Sequence, residues 1–269
     1  MAGPEPRPTR VDILGCPFDV VSHAETVEHL RQAVINNHRV VCATGNIDMV
    51  MRTRRDPDFR EEYWRSDLVV ADGVPIVWAA ALLGTPLRGR VNGTELVLSC
   101  AQISADTGCA IALIGGEFAV TEKAAQKMTE RFPGSKLYAL PTPFPLDDAA
   151  NAVLVDAIQS KNAKIVLVAL GAPKQERWIR GNLERCGANV GIGIGSAFDI
   201  ISGNKVRAPR LLRENGLEWL WRLVQEPKRL GRRYLIEDMP FVWHFLAELV
   251  RRRILGRRPS TTGSGRSSL

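Results

Sequence analysis

Short apolar runs alternate along this chain with longer segments of helical periodicity. The apolar runs cover residues 39–46, 67–73, 109–116, 163–171 and 189–196, with a weaker one at 135–141. Helical patterns follow most of them, at 74–83, 93–105, 119–131, 147–159 and 174–185. Strands that are apolar along their whole length are buried on both faces. The order therefore predicts an α/β fold in which helices sandwich a parallel sheet.

Glycine and polar residues collect where the predicted strands end. Those that we single out are Thr44, Asn46, Asp72, Gly73, Gly171, Gln175, Glu176 and Asp199. In an open parallel sheet, ligands bind in the crevice beyond the carboxyl ends of the strands. Glycine there lets a ligand approach closely, and helix N-termini there favour phosphate. These residues are therefore candidates for a ligand-binding site.

Two motifs have a stronger structural than functional interpretation. Gly191, Gly193 and Gly195 resemble part of a dinucleotide fingerprint, but they lie inside a strand, and no acidic residue follows at the required spacing of about 20 residues. The segment 56–58 (DPD) resembles a metal-binding D-x-D pair, yet it does not follow a buried strand. We interpret it as a polar turn in which aspartate caps a helix. We expect neither a cofactor nor a metal.

Three residues near predicted helix starts have two interpretations each. Asp72 ends an apolar strand, where a partly desolvated carboxylate can act as a general base. It could instead cap the helix that begins near residue 74. Arg90 and Asn92 precede the next helix and would recognise a sugar or a phosphate, since a guanidinium donates hydrogen bonds in a fork. The alternative for them is a solvated loop with a cap.

The positive charge is concentrated in the last quarter of the chain. Residues 205–258 carry 14 lysines and arginines against six acidic residues, whereas residues 1–204 carry 21 against 23. This asymmetry predicts a globular core at 10–204 and a basic, helical appendage at 205–258 that meets an anionic partner. The polar segments 1–9 and 259–269 are expected to be disordered tails.

The appendage combines arginines with aromatic residues, namely Arg222, Arg229, Arg232 and Arg233 with Trp219, Trp221 and Tyr234. This combination over two or three helices, the last at 236–254, is typical of a membrane interface or a phosphate site. A solvated helix face is the plainer alternative, and Trp219, Trp221 and Leu223 would also suit a homo-oligomer seam. Nucleic acid is disfavoured, because it would predict a basic stripe on the slightly acidic core as well.

Targeting signals and cysteine usage indicate the compartment. The N-terminal residues lack the apolar stretch of a signal peptide, and the longest apolar run, 239–250, is shorter than the roughly 20 residues that span a bilayer. The five cysteines are scattered without a C-x-x-C pair, which favours a reducing compartment and no disulfide or zinc site. We therefore expect a cytoplasmic protein that can dock on a membrane without crossing it.

Six segments together resemble the WecG/TagA/CpsF family of bacterial glycosyltransferases, over roughly residues 10–250. They are ATGNIDMV (43–50), ADGVPIVW (71–78), RVNGTEL (90–96), LIGG (113–116), LGAPKQERWI (170–179) and the long segment 193–234. The resemblance implies a Rossmann-like sheet and an inverting, metal-independent transfer of a sugar from a UDP-sugar to a sugar carried on polyprenyl pyrophosphate. The transferred sugar would be N-acetylmannosamine, its uronic acid or glucose, in the synthesis of a cell-surface polysaccharide or exopolysaccharide.

The resemblance also implies roles for individual residues. Asp72 matches the proposed general base of the family, and we group Thr44 with it. Pocket residues implied in the same way are Arg90 and Gln175, with Asn46 and Glu176 in the same motifs. It further implies that three appendage arginines, Arg222, Arg229 and Arg232, close over the donor diphosphate at the inner face of the plasma membrane. We expect Pro227 to interrupt the helix that carries them.

Two other classes of function are the alternatives. A non-catalytic nucleotide-sugar sensor or scaffold could keep the same fold, but a sensor needs no general base, and Asp72 is intact. A nucleic-acid-binding protein is supported only by the net charge of +7 and the isoelectric point of about 9.4. Catalytic turnover separates the enzyme from the sensor.

Overall fold

The computed structural model describes residues 8–209, 211–212 and 215–255. The side chains of Arg229, Leu235 and Leu255 are outside the description. The chain divides into two compact units. Of the described residues, the first comprises 8–22, 45–91 and those from 208 to 255, and the second comprises 23–44 and 92–207. Apart from Pro8 and Thr9, the predicted tails at 1–9 and 259–269 lie outside the described residues.

Strands and helices alternate through most of the chain. In chain order they are β1 (Arg10–Ile13), β2 (Cys16–Asp19), α1 (His23–Ile35), β3 (Val40–Gly45), α2 (Ile47–Arg55), α3 (Pro57–Arg65), β4 (Leu68–Ala71), α4 (Val74–Leu82), α5 (Gly93–Thr107), β5 (Ala110–Gly115), α6 (Phe118–Arg131), β6 (Lys136–Ala139), α7 (Asp148–Ser160), β7 (Ala163–Ala169), α8 (Lys174–Asn182), β8 (Val190–Gly193) and α9 (Ala197–Ser202). Then follow α10 (Glu218–Gln225), α11 (Pro227–Arg232), a π-helical turn (Arg233–Asp238) and α12 (Pro240–Leu255).

The second unit is built on parallel strands in the order β3-β8-β7-β5-β6. Every neighbouring pair in this order is parallel. All residues of β5 and β8 are buried. Leu154 and Ile158 of α7 and Ile179 of α8 pack into the same apolar core. Full burial of one such side chain stabilises the fold by about 1.5–3 kcal/mol, which explains why the strands are apolar without alternation.

The glycines of β8 allow a helix to pack closely on the strand. A Cβ atom on Gly191 would lie 2.5 Å from Cγ2 of Ile179, and one on Gly193 would lie 2.6 Å from Nε2 of Gln175. Both partners belong to α8, so any larger residue would push this helix away from the sheet. Packing therefore accounts for Gly191 and Gly193. Gly195 lies beyond the end of β8 with a φ of 54°, so the prediction that all three glycines lie inside the strand was wrong.

In the first unit, a buried ion pair fixes the hairpin of β1 and β2. Arg10 donates from Nε and Nη2 to the two carboxylate oxygens of Asp19, at 2.9 and 2.8 Å. Arg10 also donates to the carbonyl of Ser66, and Asp19 accepts from the N–H of Val69. A buried ion pair is tolerated when further hydrogen bonds satisfy both partners, as they do here. The sequence analysis predicted neither this hairpin nor helices α1 to α3.

The C-terminal helices differ in one respect from the prediction. Pro227 occupies the first turn of α11 and separates it from α10, as predicted. The last helix does not begin at residue 236, so that prediction was wrong. Residues 233–238 form the π-helical turn. The helix α12 begins at Pro240, because proline lacks the N–H that a helix interior requires but fits a first turn.

The predicted fold class is confirmed. Each of the six predicted strands lies within its predicted run, and the ends of the five predicted helices differ by at most three residues. Helices flank the parallel sheet, and a helical C-terminal segment follows it. No helix within the described ranges combines the length and the apolar character needed to cross a bilayer.

Candidate active site

A cavity of about 410 Å³ lies in the first unit. It is lined by the start of α2, by the link from β4 into α4, by Arg90, and by residues from Gly216 to Val242. Its acidic and basic lining residues are Asp48, Asp72, Arg90, Glu218, Arg222, Arg233 and Asp238. Apolar walls with a few converging polar groups are the usual form of a small-molecule site.

Asp72 reaches the cavity from the end of β4. Its backbone N–H donates to the carbonyl of Gly45 at 2.8 Å, which fixes the chain one residue beyond the strand. The N-cap position of α4 belongs to Gly73 and not to Asp72, so the capping alternative was wrong. The Asp72 side chain is 23% exposed. It is therefore a partly desolvated carboxylate in the cavity wall.

Asp72 belongs to a row of four alternating charges. Nη2 of Arg90 lies 3.7 Å from Oδ1 of Asp72 and 2.7 Å from Oε2 of Glu218. Nη2 of Arg222 lies 2.6 Å from the other carboxylate oxygen of Glu218. Nε of Arg90 also donates to the backbone carbonyl of Asp72 at 2.9 Å. The row therefore connects the end of β4 with α10 through Arg90, which contacts both Asp72 and Glu218.

Neighbouring charges keep Glu218 and Arg222 ionised. Burial would raise the pKa of Glu218, but Arg222 and Arg90 outweigh burial and keep that pKa below its ordinary value. Burial would lower the pKa of Arg222, but Glu218 and Asp72 outweigh it and raise that pKa. Opposite charges at short range favour the charged forms. Two fixed guanidinium groups therefore face the cavity beside the Asp72 carboxylate.

A second group of charges lines the same cavity. Nη2 of Arg233 lies 3.2 Å from Oδ2 of Asp48, and Nε of Arg233 lies 3.6 Å from Oδ2 of Asp238. The side chains of Asp48 and Asp238 are only 4% and 10% exposed. Carboxylates this deeply buried are rare without a paired cation. Here two of them share one cavity-lining guanidinium.

Asp238 binds its proton more tightly than an ordinary aspartate. Burial is the main cause, the charge of Asp48 is the second, and together they raise its pKa to about 6. In the unfolded chain the pKa has its ordinary value of 3.8. The protonated group therefore stabilises the native state fully below about pH 4, and this contribution is lost as the pH rises through about 6.

Replacing Asp238 with asparagine is therefore expected to stabilise the protein above pH 6. The shift in pKa corresponds to a gain of about 2–3 kcal/mol in the free energy of unfolding at pH 8, or a rise in Tm of about 5 °C. At pH 4 we expect little change in either. Thermal unfolding of both proteins at the two pH values measures this. Asp58→Asn, an exposed carboxylate on α3, is the matched control. An equal Tm difference at both pH values would contradict the assignment.

Other lining residues shape the cavity around these charges. Asn46 caps α2, because its side-chain oxygen accepts from the N–H of Met49 at 3.3 Å. Gly73 occupies the N-cap position of α4, and a Cβ built on it would lie 3.7 Å from Cβ of Asn46, an ordinary contact distance. The rings of Trp219 and Tyr234 meet edge to face at 6.1 Å. They supply an aromatic wall from α10 and the π-helical turn.

Three predicted site residues in the second unit hold the ends of its strands and helices. Oγ1 of Thr44 donates to the carbonyl of Gly193 at 3.0 Å. Asn92 is 5% exposed and caps α5 by accepting from the N–H of Glu95. Gly171 follows β7 with a φ of 73°, a conformation that glycine adopts without strain.

The other three lie on helices of the same unit. Gln175 and Glu176 are buried in the first turn of α8, and Nε2 of Gln175 donates to Oε1 of Glu176 at 2.8 Å. Oε1 of Gln175 accepts from the N–H of Gly195. Asp199 of α9 accepts from Nδ2 of Asn204 at 3.0 Å. These contacts position the strand-end loops of the second unit, and the ligand-binding roles of all six residues stay predictions.

The appendage arginines fall into different environments. Arg222 lines the cavity, as described above. The Arg229 side chain lies outside the description. Arg232 is 81% exposed and lies 3.8 Å from Glu237. Its neighbour Arg233, to which the sequence analysis gave no pocket role, lines the cavity instead.

The segment 56–58 is a helix start. Oδ1 of Asp56 accepts from the N–H of Phe59 at 3.0 Å, so Asp56 caps α3, while Asp58 is exposed. The interpretation as a polar turn is confirmed. Within the part of the chain that the structure describes, no group of three or more histidine, cysteine or acidic residues is arranged to hold a metal ion.

The sequence analysis missed three carboxylates of the cavity. Glu218 could have been noticed, because it precedes Arg222 by four residues and such pairs meet on a helix. Asp48 lies in the segment 43–50, two residues after the candidate Asn46. Asp238 had no comparable signal, since its position depends on the π-helical turn.

Comparison with known proteins identifies the family of the chain. The profile of the glycosyl transferase WecG/TagA/CpsF family matches residues 11–255. Among similar proteins are the N-acetylglucosaminyldiphosphoundecaprenol N-acetyl-beta-D-mannosaminyltransferases of Staphylococcus aureus strains MW2 and COL. Each is 27% identical over 245 residues, which cover 90% of this chain and 94% of the relative. The protein is thus a glycosyltransferase and belongs to the WecG/TagA/CpsF family.

Proposed function

We propose that this glycosyltransferase moves a sugar from a UDP-sugar to a sugar carried on polyprenyl pyrophosphate, with inversion and without an obligatory metal. The names of the relatives support the acceptor class and favour N-acetylmannosamine as the transferred sugar. The observation that carries the proposal is the partly desolvated Asp72 carboxylate beside two fixed guanidinium groups in one cavity. The product would enter the synthesis of a cell-surface polysaccharide.

In this mechanism Asp72 is the general base. It accepts the proton of the acceptor hydroxyl while the hydroxyl oxygen attacks the anomeric carbon and the bond to UDP breaks on the opposite face. Such a displacement needs one base within hydrogen-bonding distance of the hydroxyl. Arg90 lies 3.7 Å from the carboxylate and donates to the backbone carbonyl of Asp72, so it fixes the position of the base.

Arginine side chains stabilise the leaving diphosphate. Negative charge grows on UDP in the transition state, and donors that are already oriented stabilise it without reorganisation. Arg90 and Arg222 are held by Glu218 at 2.7 and 2.6 Å. The Arg229 and Arg232 side chains remain further candidates for the same diphosphate, as the family resemblance implies.

An apolar stripe on α12 supports docking on a membrane surface. Val242, Leu246, Val250 and Ile254 recur at intervals of four residues and are 44–76% exposed. Trp243 beside them is 71% exposed. An amphipathic helix with tryptophan and nearby arginines lies in the interface of an anionic bilayer. Because Met239 and Val242 also line the cavity, docking would bring the lipid-linked acceptor to the site.

The test is release of UDP from a panel of UDP-sugars, with and without a polyprenyl-pyrophosphate-linked sugar in detergent or anionic liposomes, in EDTA. We expect release that depends on the acceptor, survives EDTA, and is fastest with one donor. Loss of activity in EDTA would overturn the metal-independent mechanism. Donor binding without turnover across the panel would favour the sensor alternative, and no donor binding would remove the proposed substrate class.

A further inference from the structure

We propose that Asp48, Arg233 and Asp238 form a subsite that binds hydroxyl groups of a sugar ring. This inference rests on the proposed function, because it concerns the same cavity. All three side chains line the cavity. The ion pairs described above for the row from Asp72 to Arg222 involve none of them. We refer to the three residues as the hydroxyl subsite.

The π-helical turn brings two members of the hydroxyl subsite together. Arg233 and Asp238 are five residues apart, and in an α-helix such residues point about 140° away from each other. A turn closed by hydrogen bonds from i to i+5 returns them to nearly the same face. Their side chains accordingly meet at 3.6 Å. Turns of this kind occur frequently at functional sites.

Several polar atoms of this region have capacity for a further hydrogen bond. Oδ1 of Asp48, Oδ1 of Asp238 and Nε of Arg233 are buried and have no hydrogen-bond partner among the described residues, and the same holds for Nε of Arg52. Arg52 lies 3.6 Å from Asp48. Buried polar atoms without partners cost free energy. A ligand that supplies donors and acceptors would remove that cost.

The composition of the subsite selects the class of ligand. Arg52 and Arg55 add positive charge beside Asp48 and Asp238 but do not line the cavity. A phosphate or a sugar carboxylate would meet the two cavity-lining carboxylates directly, which disfavours it, since like charges repel. The guanidinium disfavours a metal ion for the same reason. A neutral hydroxyl can donate to Asp48 or Asp238 and accept from Arg233, which satisfies both kinds of atom. The bound sugar could be that of the donor or that of the acceptor.

Binding and kinetic measurements on variants test the subsite and identify its sugar. In Asp48→Asn and Asp238→Asn, we expect a loss of about tenfold in affinity for one sugar substrate, because a hydrogen bond to a charged group becomes one to a neutral group. Calorimetry gives the Kd of UDP and of each UDP-sugar, and initial rates give the KM of the lipid-linked acceptor. A higher Kd for the UDP-sugar with an unchanged Kd for UDP would show that the subsite binds the donor sugar. A higher acceptor KM with unchanged donor Kd identifies the acceptor sugar.

Two results would overturn the subsite. One is unchanged donor Kd and acceptor KM in variants that unfold cooperatively and at a Tm no lower than that of the wild type. The other is an equal loss of affinity for UDP and UDP-sugar, which would show that the cluster acts on the nucleotide or on the whole cavity. Asp58→Asn controls for the loss of a carboxylate. If the wild type binds a UDP-sugar but transfers nothing, a selective loss of sugar affinity still supports the subsite while the proposed function fails.

Discussion

Replacing Asp72 with asparagine is expected to lower kcat by about 10³ while the Kd of the UDP-sugar changes little. Asparagine keeps the size and the hydrogen-bonding oxygen of the side chain but cannot accept the proton of the acceptor hydroxyl. The contact with Arg90 would weaken, yet Arg90 would still be held by Glu218 at 2.7 Å. The cavity should therefore keep its shape and its nucleotide affinity.

The measurement is acceptor-dependent UDP release at saturating donor and acceptor, with donor Kd measured separately. Asp58→Asn is the matched control, because it makes the same chemical change at an exposed position of the first unit. Its kcat should stay within twofold of the wild type. If Asp72→Asn turns over at the same rate as this control, another group accepts the proton.

Replacing Arg222 with methionine should produce the second-largest loss, about 10²–10³ in kcat/KM. The change removes one of two guanidinium groups that face the cavity and leaves Glu218 paired with Arg90 alone. The anionic Glu218 would then repel the donor diphosphate more strongly. Arg222→Lys should recover only part of the activity, since an ammonium cannot donate in a fork.

Steady-state rates over a range of UDP-sugar concentrations separate binding from catalysis for Arg222→Met. Arg65→Met, at an exposed position of α3, is the control for the loss of an arginine. A higher KM with normal kcat would mean that Arg222 binds the donor equally in the ground state and the transition state. Normal values of both would remove Arg222 from the mechanism.

The parts of the fold that follow from local pattern could be predicted. The runs at 109–116 and 163–171 are apolar on both faces, as expected for parallel strands that helices cover on both sides. Both strands are present. Asp72 was identified because a carboxylate directly after such a strand lies at the sheet edge where ligands bind. Pro227 was correctly predicted to interrupt a helix, because it has no N–H to donate.

Features that depend on distant partners could not be predicted. The hairpin of β1 and β2 owes its stability to Arg10, whose partners include Asp19 and the carbonyl of Ser66, more than 50 residues away. Arg233 lines the cavity from the π-helical turn, which has no local sequence signal. Asp238 is a candidate only because that turn carries it into the cavity wall.

The π-helical turn also sets the direction in which the apolar stripe of α12 faces. Each residue of an α-helix advances the chain by about 100° around the helix axis, and a π-helical turn holds one residue more than an α-helical turn. Deleting a single residue from this turn would therefore rotate the whole of α12 by about one residue step. Val250 and Ile254 would then face a different side of the first unit, although no residue of the stripe had been changed. The number of residues in the turn therefore fixes the rotation of α12 about its axis. A turn of six residues must be kept if the stripe is to face a flat surface.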